Sequence, residues 1–418
     1  MRSGTTIHKV SIPDRRFRLA VINSHPIPHL VPLYRRLAQQ PEIDLTVYYC
    51  SKLGVEEYYD PLFGVHTTWA YTSGGHSYKH VFLPNMRRGN NVWGYTSLIN
   101  PRIISEIWRE RYDALWVHSY NYITYLLALI TARLRGTPIL YRAEHSLTYD
   151  SKVHRPFWMR VCKPLFLRLL FKQVKCFLSI GSLNTVFYFH YGIQAHKIFH
   201  VPYTVDNDYF ARKAAEFRSQ REEIRYKMGI GREDVTFLFA AKMIQMKSPL
   251  ELLRAYERVR MPGKALIIAG DGELRAQAEA YVSERNLQGV HFLGFVNQNE
   301  LPKYYAISDV FVRFDGPAIG DWGLTVNEAM ASGLAMISSD CIAATVDLVK
   351  DGENGFVVRF CDIDNLASAM EKMIADPSTC RRMGWRSMEI ISKWSYEQCV
   401  EGILKALHWI DTSRSEKL

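Results

Sequence analysis

The feature that most constrains this chain is an alternation of short apolar runs with longer helical patterns, and it occurs twice. Arg18 to Asn23 (R-L-A-V-I-N) reads as a buried strand ending in the loop His25-Pro26-Ile27-Pro28-His29. A helix is expected from Val31 to Gln39, and further strands at Asp44 to Tyr49, Ala114 to Val117, Pro138 to Tyr141 and Cys176 to Ile180. A second series follows Pro202-Tyr203. Its strands are Thr236 to Ala240, Ala265 to Ala269, Val290 to Leu293, Val310 to Arg313 and Ala335 to Ser338. Helices are expected at Pro249 to Val259, at Glu300 to Ala306 and around Glu328. Strands alternating with helices imply parallel sheets covered on both faces. A chain of 418 residues is also too long for one ordinary core. The fold class is therefore α/β, with two doubly wound, Rossmann-like domains facing a central cleft. Their expected bounds are 14–203 and 204–390, with Val201 to Asp208 as the linker. A C-terminal helix and tail, 391–418, is expected to pack back on the first domain. Ligands of such folds sit outside the carboxyl ends of the strands. Residues 50 to 100, rich in Tyr, Gly, His and Asn, are expected to form long loops of the kind that carry binding residues.

Composition excludes several function classes. Hydrophobic residues make up 48% and charged residues 22%, as in globular domains and unlike disordered chains. The seven cysteines are scattered, odd in number and without a C-x-x-C pair, which argues against a disulfide framework or zinc site and for a reducing cytoplasm. Residues 1–13 show no apolar leader core. The longest uncharged stretch, Ala114 to Ala132, contains His118, Ser119 and Asn121 and reads as strand, turn and helix, not a membrane span. Net charge is +10, and Ser151 to Lys175 carries seven Lys or Arg and no acid among Phe157, Trp158, Leu165, Phe166, Leu169 and Phe171. Two readings stay open for 151–175: a helix seated on anionic lipid, or a core-facing helix with a solvated basic face. No nucleic-acid partner is expected, because no recognition module surrounds it.

The densest chemical signal is Asp321-Trp322-Gly323-Leu324-Thr325-Val326-Asn327-Glu328-Ala329-Met330-Ala331-Ser332-Gly333. A glycine turn opens a helix with a carboxylate just inside it. Amides at a helix start suit a pyrophosphate, and a carboxylate can accept hydrogen bonds from ribose hydroxyls. The pattern alone fits an ordinary helix with a plain N-terminal turn equally well.

The block resembles the donor motif of the retaining glycosyltransferase family four, E-P-[FW]-G-L-x-x-x-E-A-M-A-x-G. Phe237 to Lys247, with its lysines five residues apart, is similar to the family's strand and basic pair. Ile268-Ala269-Gly270-Asp271-Gly272, Phe292-Leu293-Gly294-Phe295 and Asp351-Gly352-Glu353-Asn354-Gly355-Phe356 follow in the family's order. Ser24-His25-Pro26-Ile27, Tyr59-Asp60-Pro61 with Phe63-Gly64, and Pro202-Tyr203 resemble a bacterial surface-polysaccharide branch. The resemblance implies the GT-B fold and transfer of a sugar from a nucleotide diphosphate sugar with retention of configuration. It implies no metal and no cofactor beyond the donor substrate, whose β-phosphate takes the acceptor proton. Lys242 and Lys247 would hold the donor diphosphate, Gly323, Leu324 and Thr325 would offer amides to it, and Glu328 would bind the ribose. Asp271 and Gly272 would shape the nucleotide pocket, although Gly-Asp-Gly is equally a plain turn. The chain departs from the family in three places. Gly320 stands where a carboxylate usually touches the donor sugar, with Asp321 one residue late; Phe314-Asp315 replaces Pro-Ser; and Glu144, followed by His145, replaces the usual histidine. Asp321, Glu144 and His145 are thus candidates near the sugar. His25 and His118 are expected to contact the acceptor or to serve structural roles, and not to bind a metal, since no acid or cysteine completes a ligand set with them and His29. The acceptor class is a carbohydrate, a lipid-linked sugar or a small molecule. A nucleotide-sugar epimerase or hydrolase, and a non-catalytic protein binding a nucleotide or partner transferase, remain alternatives.

Overall fold

The computed structural model describes residues 15–60, 65–68, 77–87, 92–147, 157–316 and 322–415. The first sheet comprises β1 (Phe17–Asn23), β2 (Ile43–Tyr49), β5 (Lys79–Phe82), β6 (Ala114–His118), β7 (Ile139–Arg142), β8 (Cys176–Ser179) and β9 (Ile198–His200), and a small hairpin, β3 (Tyr58–Asp60) and β4 (Val65–Thr67), lies beside it. Its order is β5-β2-β1-β6-β7-β8-β9, with every pair parallel. Alternate residues of β1 serve different cores. Leu19 and Val21 pack with the helix Val31–Ala38, whereas Ala20 and Ile22 pack with Ile103, Ile107, Ala128 and Ala132 of the helices Arg102–Arg109 and Ile123–Arg135. Burial on both faces is why the strand reads as one continuous apolar run.

The second sheet repeats the plan with β10 (Val235–Ala240), β11 (Lys264–Ala269), β12 (Val290–Gly294), β13 (Val310–Arg313), β14 (Ala335–Ser339) and β15 (Gly355–Val358), in the order β12-β11-β10-β13-β14-β15, again all parallel. Phe237 and Phe239 face one core and Leu238 and Ala240 the other. In each sheet the strand order reverses beside the first strand of its domain, between β1 and β6 and between β10 and β13, which opens a crevice at the carboxyl ends.

The helix Tyr396–Ser415 returns to the first domain. Tyr396, Cys399, Ile403, Ala406, Leu407 and Ile410 enter the core that holds Leu19 and Val21, spaced as one stripe of a helix. Two findings differ from expectation within the described residues. Residues 50 to 100 include a sheet strand, β5, and the hairpin, and Ile198–His200 adds an edge strand. Both edge strands are short and carry polar residues, so they lack the apolar run that marks central strands. Among the described residues, no helix is long and apolar enough to cross a membrane.

Candidate active site

The second domain contributes a buried charge cluster beneath its crevice. After β10 the chain turns through Gln245–Lys247, which buries Lys247 with its Nζ donating to Asp315 Oδ2 at 2.7 Å. Arg313, the last residue of β13, grips the same carboxylate through Nε (2.7 Å) and Nη2 (2.8 Å), and its Nη1 donates to Thr325 Oγ1 at 2.6 Å. Two buried cations thus converge on one buried carboxylate near the start of the helix Leu324–Ala331. Gly323 caps that helix at φ +82°, a left-handed conformation that favours glycine, and its carbonyl accepts from the Val326 amide at 2.8 Å. Lys242 is half-buried, with its Nζ 3.5 Å from both oxygens of Asp60 in the first-domain hairpin. Burial pulls its ammonium below the ordinary lysine range, against the opposing charge of Asp60.

Glu328 lies one turn into the helix and is buried. Tyr305 Oη donates to its Oε2 at 2.8 Å and Gln298 Nε2 to its Oε1 at 3.1 Å. Burial pushes its carboxyl up to about 7 despite these bonds and the positive charge of Arg313. Asp271 is a turn residue as well as a pocket candidate: it accepts from the Gly272 amide at 2.8 Å and from Arg275 at 2.6 Å.

The first domain contributes a cavity of about 690 Å³ at the carboxyl ends of β1, β6 and β7, which reaches across to Met246 and Lys247 of the second domain. His25, His118, Glu144 and His145 all line it, whereas Lys242, Asp271 and Glu328 do not. Asn23 Nδ2 donates to Tyr34 Oη at 3.0 Å, so that hydroxyl can give its proton to His118 Nε2, 3.1 Å away. Burial lowers His25 to about 4, His29 to about 3 and His118 well below its usual value, with Arg142 pushing the last two further. These imidazoles are neutral at physiological pH. His145 Nε2 lies 3.1 Å from Tyr141 Oη, and its ring packs on Phe187. Among the described residues no three His, Cys, Asp or Glu converge as a metal-binding group.

The linker joins the two halves. Tyr203 donates its hydroxyl to Glu144, while its carbonyl accepts from Asn327 Nδ2 at 3.0 Å on the Leu324–Ala331 helix. Asn327 in turn accepts from Trp322 Nε1 at 2.9 Å. Asp321, Gly320, Phe63 and Gly64 lie outside the described residues, as do 151–156 of the basic segment. Sequence reasoning did not assign roles to Asp60, Arg313, Asp315, Tyr305, Gln298, Arg142 or Tyr203. For Arg313 and Asp315 a signal existed: charged residues closing the apolar strand V-F-V-R-F-D.

Residues 220–388 match the family described as Glycosyl transferases group 1. An Escherichia coli UDP-Gal:alpha-D-GlcNAc-diphosphoundecaprenol alpha-1,3-galactosyltransferase is 27% identical over 312 residues, covering 72% of this chain and 76% of that protein. A Mycolicibacterium smegmatis GDP-mannose-dependent alpha-(1-6)-phosphatidylinositol monomannoside mannosyltransferase is 29% identical over 44% of this chain and 49% of its own length. Among solved structures, Anabaena HepE in complex with UDP superposes with a TM-score of 0.69 at 14% identity, covering 94% of this chain and 99% of that one.

Proposed function

We propose that this chain, whose residues 220–388 match the group 1 glycosyl transferases and whose two Rossmann-like domains are of the GT-B type, moves a sugar from a UDP-sugar onto a lipid-linked saccharide with retention of configuration and without a metal. The observation that carries the donor half is the Lys247–Arg313–Asp315 cluster at the start of the Leu324–Ala331 helix. As the bond between the anomeric carbon and the β-phosphate oxygen breaks, the leaving diphosphate gains negative charge. Fixed cations and helix amides that need no reorganisation stabilise that charge. The acceptor oxygen bonds to the same carbon, and its proton departs with the released nucleoside diphosphate. Position and positive charge suffice for this chemistry, and no paired-carboxylate constellation is required. A uridine donor is favoured by the name of the Escherichia coli relative and by the HepE complex with UDP.

The acceptor half rests on the cavity and its neighbour, the helix Phe157–Phe171. That helix buries Leu167 and Phe171 but exposes Val161, Leu165 and Leu169 beside exposed Arg160, Arg168 and Lys172. Apolar side chains interleaved with cations suit an anionic lipid surface. The reading places the enzyme in the cytoplasm, peripheral on the inner membrane face, in assembly of a polysaccharide or other glycoconjugate.

A thermal-shift series with nucleoside diphosphates and nucleotide sugars, followed by acceptor-dependent release of nucleoside diphosphate, tests this function. UDP raises the melting temperature because it binds only the folded state. Release without acceptor would instead mark a hydrolase or epimerase, and binding without turnover on any acceptor a non-catalytic protein.

A further inference from the structure

The floor of the first-domain cavity holds nitrogen groups that the protein does not satisfy. Arg142, the last residue of β7, is 3% exposed. Its guanidinium carbon lies 5.8 Å from the Trp116 ring centre and 5.4 Å from that of Tyr203, and its Nη2 reaches the Pro202 carbonyl at 3.3 Å. Its Nη1 is buried with no hydrogen-bond partner. The same holds for Nε2 of His29, whose ring packs 4.9 Å from Tyr203, and for Nε1 of Trp116. Arg142 and His29 thus pack against the same Tyr203 ring, and both line the cavity. Leaving a buried polar group unpaired is costly, and more so when it is charged, so such groups call for a ligand.

The charge balance names the class of ligand. Among the described residues that line the cavity the cations are Arg142, Lys163 and Lys247, and the one acid is Glu144, which accepts from Tyr203. Lys247 belongs to the donor cluster, and Lys163 to the helix that exposes Leu165 and Leu169. We propose that Arg142, with His29, forms a subsite for a phosphoryl group of the acceptor, so that the accepting saccharide is a phosphate or diphosphate ester. A guanidinium matches phosphate oxygens with paired N–H donors, and His29 Nε2 completes the set when that nitrogen carries the proton. The acceptor's hydroxyl then faces Lys247 and the donor, and any chain beyond the phosphate leaves past Lys163. This subsite rests on the transferase reading above.

The test compares three acceptors with the wild-type enzyme: octyl α-D-GlcNAc, α-D-GlcNAc 1-phosphate, and α-D-GlcNAc diphosphate on a short alkyl chain. Both phosphorylated acceptors are expected to exceed the neutral one at least tenfold in kcat/KM. A preference shared by the soluble phosphate points to the phosphoryl group itself, and a further gain with the alkyl diphosphate to a lipid-linked source. R142Q should erase the preference, lowering the phosphorylated arms at least tenfold more than the neutral arm, and R142K should restore part of it. Equal use of neutral and phosphorylated acceptors by wild type, or an equal loss on all three in R142Q, overturns the subsite and leaves Arg142 as a tie to the linker. Should R142Q fail to fold, the wild-type comparison decides alone. Should none of the three sugars be used, inorganic phosphate is titrated with the donor site filled by UDP. Stabilisation of wild type supports the subsite and its absence overturns it, while UDP binding separately judges the transferase reading.

Discussion

Glu328→Gln separates the stability of the donor site from its function. Burial holds the Glu328 carboxyl at about 7, against an ordinary value of 4.5. The folded protein therefore holds this proton more tightly than the unfolded chain. The favourable contribution is complete below pH 4.5 and is lost as pH rises through 7. At about 1.4 kcal/mol per pH unit, the ionised carboxylate costs the folded state on the order of 3 kcal/mol above pH 7. Glutamine keeps the shape and can still accept from Tyr305 Oη, but it does not ionise. Denaturant unfolding at a series of pH values should show the variant gaining on wild type by about 3 kcal/mol between pH 4.5 and 8. The donor should behave oppositely. Ribose hydroxyls donating to a carboxylate are worth about 1.5–3 kcal/mol, so the variant should bind UDP roughly 10- to 100-fold more weakly at pH 8. Wild-type affinity should rise with pH through 7, because binding releases the proton. A stability difference that does not vary with pH refutes the burial argument, and an unchanged UDP affinity refutes the ribose contact.

Four other outcomes follow from the geometry. Lys247→Ala should lower kcat/KM for the donor by roughly two orders of magnitude, as the loss of a transition-state contact does, and unchanged kinetics would remove Lys247 from the site. Asp315→Asn leaves Lys247 and Arg313 without the carboxylate they share. It should cost about 3–5 kcal/mol of stability yet enlarge the thermal shift produced by UDP, since the diphosphate no longer competes with Asp315; a smaller shift would mean that Asp315 holds the cations in place for the donor. Replacing exposed Arg160, Arg168 and Lys172 by Gln should weaken sedimentation with anionic liposomes by roughly 100-fold at about 1 kcal/mol per charge, and undiminished binding would dismiss the membrane face. Gly181→Ala would push a methyl group into the Trp322 ring and to 2.5 Å from Asp347 Oδ2. Overpacking of that kind costs about 1–3 kcal/mol, read as a lower melting temperature, and an unchanged value would show that the domains relax apart there.

The alternation of apolar and helical segments was enough to establish two parallel-sheet domains, because strands buried on both faces must be apolar throughout. Leu19 and Ala20 could be read as strand interior without knowing which core each would enter. The glycine turn before Glu328 likewise announced a helix start, since the φ of Gly323 is a local property. The charge partners could not be read in this way. Asp60 meets Lys242 across 182 positions and Asp315 meets Lys247 across 68, and a buried ion pair leaves no periodic trace in either partner's neighbourhood. The same is true of Arg142, which reads in the sequence as one more residue at a strand's end. Only the packing of Trp116, His29 and Tyr203 around it turns a surface-type side chain into a buried cation with a donor to spare. Local patterning therefore determined the scaffold, while the distribution of charge within the cleft was decided by tertiary contacts, because electrostatic pairing depends on distance in space and not on separation along the chain.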